Sequence, residues 1–158
     1  MQIQAINSRT AARLIQVRPP RIALLLLGVA ISAHMLLAVP ALPAFPIAGI
    51  TLGVTGFAIM IRAWWLFKVA RTAICPTDTP SALVINDVFR FSRNPMYMGM
   101  ILMLAAPAVS FGSVPFYLAF VGFAVLLDRV FRPYEEQRLE QEFGARFTEY
   151  RQRVRPWL

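Results

Sequence analysis

Two long stretches of the chain, Ile22 to Ile61 and Asn94 to Leu127, contain no Asp, Glu, Lys or Arg. Each exceeds the roughly 20 apolar residues that carry a helix across the hydrocarbon core of a bilayer, so each predicts more than one crossing. Pro40 and Pro43 divide the first into a span over 22–39 and a second over 46–67, the latter ending on Trp64 and Trp65 as interfacial anchors. In the second stretch, Phe111-Gly112-Ser113-Val114-Pro115 reads as a turn, giving a tight hairpin of spans over 96–110 and 115–131. Beyond Pro133 the pattern changes. Leu139, Phe143, Phe147, Tyr150 and Val154 recur at helical spacing, with Arg138, Glu142, Arg146 and Glu149 off that stripe. This predicts an amphipathic helix over 133–158 that lies on the membrane surface or packs over a loop. The expected architecture is a single-domain, all-α integral membrane protein over 1–158. It has about four transmembrane helices, the last two a tight hairpin, plus a C-terminal amphipathic cytoplasmic helix.

Composition agrees with this pattern. The apolar fraction is 58%, with a mean hydropathy of +0.57, against about 45–50% in soluble domains. A basic leader over 1–21 precedes the first span and resembles a secretory signal. The apolar stretch is longer than a signal core and more spans follow, so it reads as a retained helix. The net charge of +8 raises nucleic-acid binding, but the cations sit in short clusters around membrane-length apolar blocks, not along one stripe. Those clusters fall in the leader, in the loop from Arg71 to Arg93 and in the tail, while the two opposite turns are uncharged. That asymmetry predicts both termini in the cytoplasm.

Among single residues, Cys75 is the lone cysteine and reads as an ordinary loop thiol, which excludes an intramolecular disulfide or a thiolate zinc cluster. His34 lies within the first span, where an ionisable group invites a functional reading. No second ligand accompanies it, so no metal is expected and a packed, hydrogen-bonded histidine is the plainer reading. Gly49, Gly53 and Gly56 give small-residue spacings that suit close helix packing, within this protein rather than in a dimer.

Two clusters carry more. Ser92-Arg93-Asn94-Pro95-Met96-Tyr97-Met98-Gly99 opens the third span, with Pro95 suited to a first helical turn. Its free N–H groups could meet an anion, or Arg93 could simply reach the headgroups. Glu135-Glu136-Gln137-Arg138-Leu139 follows the fourth span. Its carboxylates could hold an ammonium group, or merely complement a helix start.

Together the clusters resemble a known family. Arg93-Asn94-Pro95-Met96-Tyr97-Met98-Gly99 is similar to the Arg-His-Pro-x-Tyr-x-Gly motif of isoprenylcysteine carboxyl methyltransferases, which are related to phospholipid N-methyltransferases. Glu135-Glu136-x-x-Leu139-x-x-x-Phe143-Gly144 resembles that family's second motif, and Tyr150-x-x-Arg153-Val154 its following arginine. Leu83 to Phe91 resembles the approach to the first motif, so the likeness spans about Thr72 to Leu158. It departs from the family at Asn94 (His there), Asp87 (Gly), Phe89 (Tyr) and Phe147 (Tyr). These departures bear on the acceptor more than on the cofactor.

The resemblance, to short bacterial-type members, implies a methyltransferase of the bacterial inner membrane that uses S-adenosylmethionine. It places Arg93, Asn94, Tyr97, Gly99, Glu135, Glu136 and Leu139 around the cofactor, in a pocket facing the cytoplasm. It makes Arg153 the catalytic residue that handles an acceptor carboxylate. The acceptor would be a membrane lipid or a prenylated small molecule arriving from the bilayer. Burying a sulfonium favours nearby carboxylates and aromatic faces, and aligning donor with acceptor supplies most of the acceleration. A phospholipid amine N-methyltransferase and a non-catalytic membrane scaffold are the competing readings. A sterol-reductase-like enzyme would need a dinucleotide fingerprint that the chain lacks.

Overall fold

The computed structural model describes residues 17–37, 42–73 and 80–158, so Cys75 and most of the basic leader lie outside the described residues. Helix α1 covers Pro19–Leu36 and α2 covers Pro46–Val69. A 3-10 turn over Asp87–Arg90 leads to α3, Pro95–Phe111. Helix α4 runs over Val114–Phe143 and α5 over Ala145–Arg153. The first four each carry proline in the first turn, where its missing N–H costs nothing and its fixed φ favours the helix. Helices α1, α2 and α4 are long and apolar enough to cross a membrane, and α3 is a shorter apolar helix of 17 residues.

Helices α2 and α3 make the most extensive pairing, and its cause is small residues. A Cβ on Gly56 would come within 2.6 Å of the Gly99 carbonyl, and one on Gly99 within 2.6 Å of the Gly56 carbonyl. Gly49 lies against Ala106 and Ser110 in the same way. The glycine spacings therefore serve packing inside the chain, as expected. The hairpin between α3 and α4 turns on Gly112, whose φ of 60° is left-handed. There the Leu42 N–H donates to the Gly112 carbonyl at 2.7 Å, so the link between α1 and α2 presses on the turn.

The core runs between α1, α3 and α4 through Leu104, Ala108, Phe116, Phe123, Leu127 and Phe131. His34 lies near the hairpin end of this core. Its Nδ1 is 2.9 Å from Ser113 Oγ, and its ring is flanked by Phe111 and Phe116. It is a hydrogen-bonded packing residue. The outward faces carry large apolar side chains in the open, with Leu24 68%, Ile47 82% and Leu118 69% exposed. Water would not tolerate so continuous a surface; lipid does. The chain is an integral membrane protein.

The tail departs from the expected single helix over 133–158. Helix α4 does not stop at residue 131 but continues to Phe143, beyond its apolar part. Pro133 would clash with the Arg129 carbonyl in a plain α-helix; here a π turn over Leu127–Phe131 widens the helix just before it. The break comes at Gly144, where φ is 51°. Helix α5 then ends at Arg153, and Val154 is extended. The stripe of Leu139, Phe143, Phe147, Tyr150 and Val154 keeps its spacing across the break because both pieces pack over the same loop.

Candidate functional site

The start of α3, the outer end of α4 and the loop before α3 converge at the cation-rich end of the bundle. Two cavities meet there. The first, about 110 Å³, lies under Leu83, Val84 and Phe89 and against Leu139, Phe147 and Tyr150. The second, about 340 Å³, opens between the beginnings of α1 and α3, lined by Arg18, Pro19, Pro20, Met96 and Met100. Five residues belong to both: Phe67, Phe89, Arg93, Asn94 and Glu135. They form the wall between a cavity that holds the paired glutamates and a more apolar cleft.

The wall is built by helix geometry. Pro95 starts α3, which holds Arg93 and Asn94 at the corner just before it. In α4 the extra residue of the π turn rotates the outer part of the helix by roughly 100° relative to a regular one. Glu135, Glu136 and Leu139 then face the first cavity. Tyr97 faces the second cavity and donates a short hydrogen bond to Glu135 Oε1.

Arg93 is the unusual member. Its side chain is only 8% exposed, and its Nη2 lies 3.0 Å from Glu136 Oε1. That contact is an ion pair without hydrogen-bond alignment. Among the described residues, Arg93 Nε and Nη1 are buried donors with no hydrogen-bond partner. Buried polar groups are nearly always satisfied, and the exceptions call for an explanation. The Glu136 Oε2 faces Arg132 Nη1 at 3.6 Å. Arg132 Nε donates to Asp128 Oδ1 at 3.0 Å, and Trp157 Nε1 donates to the same oxygen at 2.9 Å.

Titration reflects these surroundings. Burial pushes the Glu135 carboxyl from its ordinary 4.5 up to about 7; the neighbouring Glu136 charge adds to this, while Tyr97 and Arg138 oppose it. Burial also lowers the Arg93 guanidinium, against the pull of Glu136. It raises the Tyr150 phenol, whose hydroxyl donates to the Phe89 carbonyl at 2.7 Å.

Of the residues singled out from the sequence, Arg93, Asn94, Glu135, Glu136 and Leu139 line the first cavity, and Tyr97 joins them through Glu135. Two are not brought there. Gly99 backs onto Gly56 and Met60, outside both linings. Arg153 is 63% exposed and pairs with Glu149 at 3.1 Å on the outer face of α5. The motifs did not point to Phe67 in the wall, or to Asp128 and Trp157 behind it, and Phe89 stood out only as a departure from the resembling family's Tyr. Asp128 carried a signal: it is the first charge after 34 uncharged residues, the type of position where an ionisable group has a purpose.

The chain is similar in sequence to known methyltransferases. Over 75 residues the chain is 35% identical to protein-S-isoprenylcysteine O-methyltransferase B of Arabidopsis thaliana. The match covers 46% of this chain and 36% of the relative, so the chain spans about a third of that protein's length. No solved structure matches. The family described as phospholipid methyltransferase matches residues 45–146, from α2 through the paired glutamates into α5. The chain belongs to the phospholipid methyltransferase family.

Proposed function

We propose that the protein is an S-adenosylmethionine-dependent membrane methyltransferase acting on a lipophilic carboxylate. The cofactor is held in the first cavity and the acceptor arrives from the bilayer through the cleft between α1 and α3. One observation carries the choice of acceptor: two buried, unpartnered Arg93 donors stand in the wall between the cavities. A carboxylate is the natural partner for a guanidinium fork. The role that sequence resemblance gives to Arg153 then passes to Arg93.

The residues present fit the cofactor. Glu135 and Glu136 suit its ammonium and sulfonium charges, Tyr150 and Phe89 offer aromatic faces, and Leu139 supplies an apolar contact. Asn94 and Tyr97 fix the wall around them, and Gly99 acts through packing against α2. When bound, S-adenosylmethionine supplies an electrophilic methyl group on sulfonium. Arg93 then orients the acceptor oxygen, and the covering loop excludes water. A carboxylate acceptor has no proton to lose, so the wall needs no general base. Asn94, which cannot titrate, is adequate where the resembling family has histidine. The cation clusters at this end support a cytoplasmic position for it.

The family match favours a second reading, methylation of a phospholipid amine. There Glu135 would take the amine proton, and Arg93 would hold the lipid phosphate instead of the reacting group. Purified protein with labelled S-adenosylmethionine, given a prenylcysteine or phosphatidylethanolamine in separate arms, separates the two. The expected result is transfer to the prenylcysteine, reduced about 100-fold in Arg93→Met, the scale of losing a charge-assisted fork. Transfer only to the amine overturns the carboxylate reading. No transfer to either, with no calorimetric binding of S-adenosylhomocysteine, overturns the enzyme.

A further inference from the structure

The last residues of the chain lie beyond the family match, yet they are bonded into the wall. The Arg93 N–H donates to the Arg155 carbonyl at 3.0 Å. The Pro156 carbonyl accepts from both Ser92 Oγ and Asn94 Nδ2, each at 3.0 Å. Ser92 is fully buried and Asn94 is 8% exposed, so these partners are not optional. Ser92 Oγ also accepts from the Asn94 N–H at 3.1 Å. One residue further on, Trp157 packs against the core and donates to Asp128 Oδ1 in the π turn of α4. Asp128 in turn holds Arg132, which faces Glu136, which faces Arg93. The connections close a ring: tail to wall by backbone, tail to α4 by Trp157, and α4 back to the wall by ion pairs.

We infer that Arg155–Trp157 is a strap that positions the Arg93–Asn94 corner for methyl transfer, and that Asp128 and Trp157 are its positioning residues. Neither touches the cavities; both act through Arg93. One Asn94 Nδ2–H is held by the strap, which fixes the amide where it lines both cavities. Arg93 Nε and Nη1 have no hydrogen-bond partner among the described residues and Nη2 has only the Glu136 ion pair, so the aim of the guanidinium depends on its backbone and on Glu136, and the ring holds both. Displacements near 1 Å at a reacting centre cost large factors in rate, and support behind a site commonly sets its precision.

The inference rests on the methyltransferase reading for its kinetic arm but not for its structural one. In the full chain, Trp157→Phe keeps an aromatic ring and removes the donor; Asp128→Ala removes the acceptor; Asp128→Asn keeps an oxygen for Trp157. The expected result is faster hydrogen exchange at the Arg93 amide in Trp157→Phe and Asp128→Ala, with Asp128→Asn close to wild type. In the same pair kcat falls about tenfold while the KM for cofactor changes less than about twofold, and Asp128→Asn restores kcat. Unchanged exchange at Arg93 overturns the strap whatever the activity. Faster exchange with unchanged kcat overturns positioning and leaves only a structural latch. If wild type transfers no methyl group, the reading of the site fails by itself and the strap is decided by the exchange arm. Should Trp157→Phe not fold, the two Asp128 variants make the same comparison.

Discussion

At the scale of single residues, the site is governed by what burial does to charge. Glu135 holds its proton up to about pH 7 in the folded chain, against 4.5 in an exposed carboxyl. A raised acid stabilises the fold fully below its unfolded value and loses that contribution as pH rises through the folded one. The ligand-free protein should therefore lose stability between about pH 5 and 8, by on the order of 3 kcal/mol at most. Glu135→Gln should flatten that slope in thermal melts; an unchanged slope would place the titration elsewhere. If Glu135 meets the cofactor ammonium, S-adenosylhomocysteine should bind more tightly at pH 8 than at pH 6, releasing a proton on binding near neutrality. Calorimetry in buffers of different ionisation heat measures that release. Asp87 presents the other side of residue-scale chemistry. Its φ of 59° is left-handed, which accounts for the glycine that the resembling family places there. Here an aspartate tolerates the angle, caps the Val88 N–H at 2.8 Å and accepts from Arg62 Nε at 3.1 Å. The ion pair holds its carboxyl below the usual range, but it is exposed and worth little. Asp87→Gly should be neutral within about 1 kcal/mol, whereas Asp87→Val, β-branched at a positive φ, should cost roughly 1–3 kcal/mol. Equal melting temperatures for the two would refute the backbone account.

At the scale of elements, what was legible in the sequence depended on which signal each boundary leaves. The apolar blocks and their prolines located four apolar helices, three of them long enough to cross, because a bilayer demands length and uncharged residues and little else. The hairpin was legible from Gly112, a residue the left-handed turn requires. The π turn was not, because a widened turn leaves no composition of its own; only Pro133 inside a continuing helix hints at it. Nor was the break at Gly144 read, since the stripe of Leu139, Phe147 and Tyr150 serves two helices on one loop as well as it would serve one helix. For the site, the motif residues on α4 and at the α3 corner were legible. For Arg153, resemblance gives a position in sequence only, while the structure sets its side chain on the exposed face of α5, away from the cavity that Phe147 and Tyr150 line. Gly99 marks the same limit. It reads as part of a cofactor motif yet fills no cavity, and its carbonyl lies where a Cβ on Gly56 would go. Gly99→Ala should cost about 1–3 kcal/mol by forcing α2 and α3 apart. The folded fraction should bind S-adenosylhomocysteine with wild-type affinity. A selective loss of affinity with an unchanged melting temperature would return Gly99 to the cofactor site.

At the scale of the whole molecule, four apolar helices, read as four crossings, have the beginning of α1, the loop before α3 and the tail at one end, and the hairpin turn and the α1–α2 link at the other. The site occupies the first end, where the cations are, and the second end is held by uncharged contacts such as His34 with Ser113. This division makes orientation a functional matter: the cavity that holds the paired glutamates lies at the end the cations mark, so its compartment follows the side on which those cations are retained. Lys and Arg in short loops are retained on the cytoplasmic side, so the cofactor cavity should face the cytoplasm. The chain carries its own reporter. Cys75, the lone cysteine, lies in sequence between α2 and α3, and the crossings alone set its side. In intact cells a membrane-impermeant maleimide should leave Cys75 unlabelled and should label it after permeabilisation. Leu42→Cys in a Cys75→Ser background supplies the opposite case, since Leu42 is exposed on the link that presses on the hairpin turn. That cysteine should react from outside before permeabilisation. The reverse pattern would invert the molecule, turn the cavity of the paired glutamates away from the cytoplasm and remove the topological support for the proposed cofactor site. Labelling of both positions from one side would refute the even number of crossings itself.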